Sequence, residues 1–421
     1  MVLDRTQAPP FQLPDKVALQ HISPRYLKNG TPAYVLNQGD QSIIKVEISF
    51  KSGAWYESKQ GIAFFVTKML TEGTNKRTST EINDILDHYG AYLETIPGLD
   101  NTTVSLYVLN KHLDKLLPLF VEMINESNFP EAELETLKSI KKQEIRINRE
   151  KNSMEAGKVF REKFFGTDHP YGRFISEEIV DSYHREDLLA YFTEGYRVSP
   201  EVFLCGKVSE EDFQLIDQYL SQIAISELKT SVNYENTFTP SAYYQEKAQA
   251  VQTSIRVGLP IINRSHSDYM ALSVLNELFG GYFGSRLMKN IREEKGYTYG
   301  IHSSLLHLQN ASYLIIGTDV KKEHAQATIN EIHAEIKKLQ TELVPSLELE
   351  TAKNYMIGHF LSEINTSFHL MDKFKTIHHA GLGYDFYEGM IARIKAVNAD
   401  ILQETAKKYL KTEELLQVMI G

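Results

Sequence analysis

Cysteine is almost absent from this sequence. The single occurrence, Cys205, excludes an intramolecular disulfide, and so low a content suits a reducing compartment. Cys205 ends the segment Glu201-Val-Phe-Leu-Cys205, which reads as a buried strand, and is itself read as a small core hydrophobe. Long apolar runs are missing too: no stretch approaches the roughly 20 residues that cross a bilayer, so no membrane span is expected. Residues Met1 to Pro10 hold no apolar core of a secretory signal. That favours the cytoplasm and leaves the periplasm open if a leader was removed. Positive charge is not in excess. Lys and Arg number 45 against 55 Asp and Glu, a formal net charge of −10, which argues against nucleic acid and anionic membrane as partners.

What is present is an ordinary globular composition, 42% hydrophobic and 24% charged over 421 residues, too long for one core. Thr31–Leu36 and Ser42–Phe50 read as strands, the second with Ile44, Val46, Ile48 and Phe50 alternating with polar residues. Gly61–Thr71 reads as a helix, and Thr78-Ser-Thr-Glu81 as a capped helix start. A hairpin is expected from 91–95 and 102–109, then helices at 113–124 and 131–151, a strand at 201–205 and a helix at 210–223. Residues 226–241 lose periodicity and read as a linker. The second half repeats the order. It has a strand at 253–259, a helix at 267–279 broken by Gly280-Gly281 and resumed at 285–292, and strands at 298–306 and 311–318. Helices at 323–339, 346–363, 367–379 and 400–409 and a closing strand at 414–419 complete it. The repeated order suggests duplication. The expected fold is α+β: two homologous domains, 1–225 and 242–421, joined by the 226–241 linker. Each has a mainly antiparallel sheet with helices packed on one side.

Ser52-Gly-Ala-Trp-Tyr-Glu57, with Gly61-Ile-Ala-Phe-Phe-Val-Thr-Lys-Met-Leu-Thr-Glu-Gly-Thr74, resembles the zinc-motif region of the pitrilysin/insulinase metallopeptidases, which include the mitochondrial processing peptidase. In active members the helix carries His-x-x-Glu-His, two histidines on one helix face for the metal and a glutamate to activate its water. Aligned on Gly61 and Met69-Leu-x-x-Gly-Thr74, those positions are Phe64, Thr67 and Lys68, and no such motif occurs elsewhere. The resemblance places the third ligand, a Glu roughly seventy-five residues on, at Glu144. An auxiliary Glu falls near Leu137 and is lost. Lys68 is expected to pair with Glu144, an ammonium standing in for the metal.

Gly280-Gly-Tyr-Phe-Gly-Ser-Arg-Leu-Met-Lys-Asn-Ile-Arg-Glu-Glu-Lys-Gly-Tyr-Thr-Tyr-Gly300 resembles the family's C-terminal element. There an Arg and a Tyr seven residues on reach the zinc site. Arg292 and Tyr299 have that spacing, and the resemblance gives them the roles of holding substrate and stabilising an oxyanion. Arg286 is expected as a structural anchor, and so is His169 in Thr167-Asp-His-Pro-Tyr-Gly172. His324 and His333, nine apart on one helix, and the adjacent His378 and His379, which face different directions on a helix, are expected not to form ligand sets. Lys141-Lys142 and Lys321-Lys322 read as solvated faces.

The resemblance implies a non-catalytic subunit of a heteromeric zinc metallopeptidase. It would bind no metal or cofactor of its own, pair with a zinc-bearing subunit, and help to enclose unfolded peptides while lending Arg292 and Tyr299 to the partner's site. The alternatives are a structural scaffold and a stand-alone peptide-binding homodimer.

Overall fold

The computed structural model describes Pro14, residues 16–227, Tyr234 and residues 238–421. The N-terminal ten residues and most of the expected linker at 226–241 lie outside these.

The first sheet is built from β1 (Pro24–Tyr26), β2 (Pro32–Asn37), β3 (Ile43–Phe50), β4 (Tyr92–Pro97), β5 (Thr102–Leu109) and β6 (Glu201–Gly206), in the order β1-β2-β6-β3-β5-β4. The second uses β7 (Ser241–Gln245), β8 (Gln252–Pro260), β9 (Thr298–His307), β10 (Ser312–Lys321) and β11 (Leu416–Ile420), in the order β7-β11-β8-β10-β9. Within each sheet one pair is parallel, β2 with β6 and β7 with β11, and the rest are antiparallel. Five consecutive strands of the first sheet therefore match the second strand for strand. This is the repeated order of the sequence, now expressed as topology.

Helices alternate with these strands. The first half holds α1 (Ile62–Lys68), α2 (Ser79–His88), α3 (Leu113–Glu126), α4 (Glu131–Glu150), α5 (Asn152–Phe165), α6 (Glu177–Asp181), α7 (Arg185–Tyr191) and α8 (Glu210–Leu220). The second half holds α9 (Tyr269–Asn276), α10 (Ala325–Thr341), α11 (Ser346–Ser362), α12 (Ser367–His379), α13 (Asp385–Glu388), α14 (Met390–Ala396) and α15 (Ala399–Tyr409). The start of α2 forms as its letters say: Thr78 accepts from the Glu81 amide, and the Glu81 carboxylate accepts from the Thr78 amide.

The period of two assigns the faces of each sheet. In β3, Ile44, Val46, Ile48 and Phe50 join the first core with α1, α3 and α7 residues such as Phe65, Phe120 and Leu188. In β8, Ile255, Val257 and Leu259 join the second core with Leu275, Ile329 and Leu402. Each sheet thus carries the helices of its own half on one face, as expected.

The opposite faces are also covered, by a helix from the other half. On the second sheet, Tyr313, Leu416, Val418 and Ile420 pack against Ala156, Phe160, Phe164 and Phe165, all of α5. On the first sheet, Tyr34, Leu36, Phe203 and Cys205 pack against Met371 and Phe374 of α12. The exchange is reciprocal, since α5 follows α4 as α12 follows α11. Burying each such aromatic side chain contributes about 1.5–3 kcal/mol, so the two halves are held together by apolar cores. The cover also explains why Lys45 and Glu47, on the polar face of β3, are buried. Glu47 is bonded by Lys45 at 2.5 Å and by Lys375 of α12 at 2.8 and 3.0 Å, so the buried carboxylate is paired, as its desolvation demands.

Candidate functional site

Phe64, Thr67 and Lys68 all lie on the short helix α1. It begins after Gly61, whose φ of 84° is a left-handed value that favours glycine. Glu57 holds that start in place. Its carboxylate accepts from the amides of Gly61 and Ala63 and is bridged by Arg173 at 2.9 Å. Burial pushes the Glu57 carboxyl up to about 6 despite these bonds.

The residues at the positions that the resemblance gives to the metal do not fit zinc. Phe64 offers no donor atom. Thr67 is fully buried, and its hydroxyl donates to the Ala63 carbonyl at 2.6 Å, so it is engaged inside the helix. The expected Lys68–Glu144 pair does not form. Lys68 turns to β4 and donates to the Thr95 carbonyl at 2.8 Å, while Glu144 on α4 is bonded by Lys141 at 3.0 Å. Lys141 wins the carboxylate because it lies one turn away on the same helix. Its ammonium also stands 4.4 Å from the centre of the Phe64 ring. Lys141 was expected on a solvated face, yet its side chain is only 14% exposed. A cation thus lies between Phe64 and Glu144, supplied by α4 rather than α1. Its neighbour Lys142 bonds Asp181.

Arg292 and Tyr299 are adjacent in space. The Arg292 Nε donates to the Tyr299 carbonyl at 3.0 Å, and its guanidinium lies 4.6 Å from the centre of the Phe283 ring. Tyr299 itself is 93% exposed near the start of β9, an edge strand. It lines a cleft of about 790 Å³ with Lys151, Asn152, Tyr297, Asp319 and Lys321. Among the described residues, no hydrogen bond, ion pair or ring contact joins Arg292 or Tyr299 to Phe64, Lys68 or Glu144. The Tyr299 ring is exposed, and the Arg292 guanidinium is partly exposed beside it. Arg286 is held apart from them by a two-pronged bridge to Glu348 at 2.8 and 2.9 Å, the anchoring role expected. His169 is likewise structural: it is buried, stacked on Phe165, and accepts from the Tyr171 amide at Nδ1.

His378 and His379, expected to face different ways, instead converge. Their Nε2 atoms meet one carboxylate, that of Glu201 on β6, at 2.6 and 3.0 Å. The two rings converge because the carboxylate reaches them from the opposing sheet and presents one oxygen to each. Sequence spacing on one helix carried no signal of this, since the third group is some 180 residues away.

Two family profiles match the chain, one described as Insulinase (Peptidase family M16) over residues 34–165 and one as Peptidase M16 inactive domain over residues 182–356. The chain is 22% identical over 345 residues to the uncharacterized zinc protease YmxG of Bacillus subtilis, covering 81% of this chain and 84% of that protein. It is 23% identical over 395 residues to the mitochondrial-processing peptidase subunit beta of Bos taurus, covering 88% and 78%. A crystal structure of a peptidase M16 inactive domain from Pseudomonas fluorescens superposes with a TM-score of 0.86 at 19% identity, over 96% of this chain and 98% of that one. A protease from Helicobacter pylori superposes with a TM-score of 0.85 at 19% identity, over 96% and 100%. With both family profiles matched and both sheets in place, the chain belongs to the pitrilysin/insulinase (M16) peptidase family, and its sequence holds no His-x-x-Glu-His or His-Glu-x-x-His.

Proposed function

We propose that this chain is the zinc-free subunit of a two-subunit metallopeptidase, closing a peptide chamber and lending Arg292 and Tyr299 to the zinc centre of its partner. The observation that carries this reading is Tyr299. A tyrosine 93% exposed, with its carbonyl fixed by Arg292, has a phenol free to serve a neighbouring molecule. A phenol so placed donates to the oxyanion of a tetrahedral intermediate, and a guanidinium holds a peptide carbonyl or carboxylate. The chain's own metal positions supply a ring, an engaged hydroxyl and a lysine, so zinc and its activated water are assigned to the partner, and this chain carries no cofactor there. That a relative is named as a subunit supports the paired arrangement.

The halves 1–225 and 242–421, joined through 226–241, form this chain's share of the enclosure. Unfolded peptide is the substrate class. A peptide adding as a strand along edge strand β9 would be read through its backbone and would pass Tyr299. No helix among the described residues is long and apolar enough to cross a membrane, so the partner is sought among proteins that need no shared span.

The test is peptidase activity on an unstructured peptide, with this chain alone, a candidate zinc-bearing relative alone, and the mixture. Cleavage by the mixture only, slowed about 100-fold or more by Tyr299→Phe or Arg292→Ala with the complex intact, supports the reading. Equal activity of the relative with and without this chain rejects it.

A further inference from the structure

His378 and His379 close α12, and Glu201 opens β6 on the sheet that α12 covers. The carboxylate oxygens lie 2.6 Å from the His378 Nε2 and 3.0 Å from the His379 Nε2, and all three ligand atoms fall within 4.8 Å of one another. The imidazoles are walled by aromatic rings. His378 stacks on Phe374 at 5.5 Å and meets Tyr34 at 4.7 Å, while His379 meets Phe203 edge-on at 5.9 Å. Side-chain exposure is 20% for Glu201, 27% for His378 and 35% for His379. The group is therefore held rigidly yet open to a small ion from one side. The nearest lysine of α12, Lys375, is engaged by Glu47 and Asp372 and does not compete for Glu201.

We propose that Glu201, His378 and His379 form a three-ligand site for a zinc-type first-row divalent cation, bridging the first sheet and the helix that the second half lays upon it. Two imidazoles and a carboxylate suit zinc or cobalt rather than magnesium or calcium, which take oxygen ligands. Three protein ligands leave a fourth position for water, on the side where His379 borders a crevice lined by Asp100, Arg264 and His307. The site is separate from Phe64, Thr67, Lys68 and Glu144 on α1 and α4, and it does not depend on the partner-subunit reading. Its ligands come from opposite halves, so the ion binds only when α12 is docked, and its binding stabilises the docked state.

The experiment uses the full chain, stripped of metal by a chelator and dialysed, then titrated with cobalt(II) chloride. The expected result is one equivalent bound, with the visible absorption of four-coordinate cobalt, displaced by zinc chloride. Glu201→Gln and His379→Asn are each expected to weaken binding about tenfold or more, at least what loss of a supporting group costs a metal site. His88→Asn, at an exposed histidine elsewhere, should leave binding unchanged, and zinc should raise the melting temperature of the unaltered chain but not of Glu201→Gln. Circular dichroism checks that each variant is folded. No saturable cobalt binding by the unaltered chain, or binding that folded Glu201→Gln and His379→Asn retain, overturns the proposal and leaves the trio as a hydrogen-bonded clamp.

Discussion

The Lys141 ammonium stands 4.4 Å from the centre of the Phe64 ring, so a protein cation meets an aromatic face at the first position where the resemblance places a metal ligand. Such a contact is worth about 0.5–2 kcal/mol, depending on desolvation, and the Glu144 carboxylate at 3.0 Å holds the ammonium in place. Rewriting only the α1 letters would leave this cation in place. The combined variant Phe64→His, Thr67→Glu, Lys68→His is therefore expected to retain little zinc, and adding Lys141→Ala is expected to raise retention severalfold. Metal analysis after gel filtration checks this. Stoichiometric zinc with Lys141 intact would refute it.

Tyr299 and Arg292 are expected to matter little for this chain's own folding. Tyr299→Phe removes an exposed hydroxyl and should change stability by no more than about 0.5 kcal/mol. Arg292→Ala loses the bond to the Tyr299 carbonyl and the contact with Phe283, and should cost about 1 kcal/mol. Urea unfolding measures both. A loss of about 2 kcal/mol or more in Tyr299→Phe would make that tyrosine a structural residue.

Phe160 tests the exchange of helices. It is fully buried and packs on the second sheet, against Tyr313 and beside Gly258. There is no room for a Cβ at Gly258, where one would meet the Leu314 carbonyl at 2.3 Å and the Phe160 ring at 2.7 Å. Phe160→Ala is expected to destabilise by about 3–5 kcal/mol. It should also increase hydrogen exchange in β8 and β11 as well as in α5. Exchange raised in α5 alone would mean that the helix does not support the second sheet.

Glu277 supplies a pH dependence. Burial raises its carboxyl from the ordinary 4.5 to about 7. The folded state therefore holds this proton more tightly than the unfolded chain does, and the stability it adds is present below about pH 4.5 and is lost as pH rises through 7. Glu277→Gln removes the charged form, so it should stabilise the chain by up to about 3 kcal/mol at pH 8 and by little at pH 4. Thermal melts at the two pH values check the sign; a gain confined to acid pH would contradict it.

Legibility was uneven, for physical reasons. β3 and β8 were readable because one face of each is apolar at a period of two, and α2 because its capping residues act within one turn. Helix α5 was missed. The long charged pattern of α4 runs straight into it, and the break at Lys151 has no Gly or Pro to mark it. Its aromatic residues serve a sheet of the other half, so no local partner betrays them. Strand β7 was missed because it begins where periodicity fades, and its pairing is with the distant β11.

At the site, the sequence alone determined what chemistry is absent. A phenylalanine, a threonine and a lysine cannot ligate zinc as two histidines with a glutamate beside them do, whatever the fold around them. It also determined the repeated order of elements, because periodicity is a local property. The tertiary structure decided which charges meet. Lys68 lies on a helix whose neighbour β4 offers a backbone carbonyl, while Lys141 is one helical turn from Glu144, so the nearer ammonium takes the carboxylate. In the same way, Glu201 meets His378 and His379 only because α12 crosses to the other half's sheet. Pairings between residues far apart in the chain depend on how sheets and helices stack, and that is fixed by the sum of buried surfaces rather than by any local run of letters.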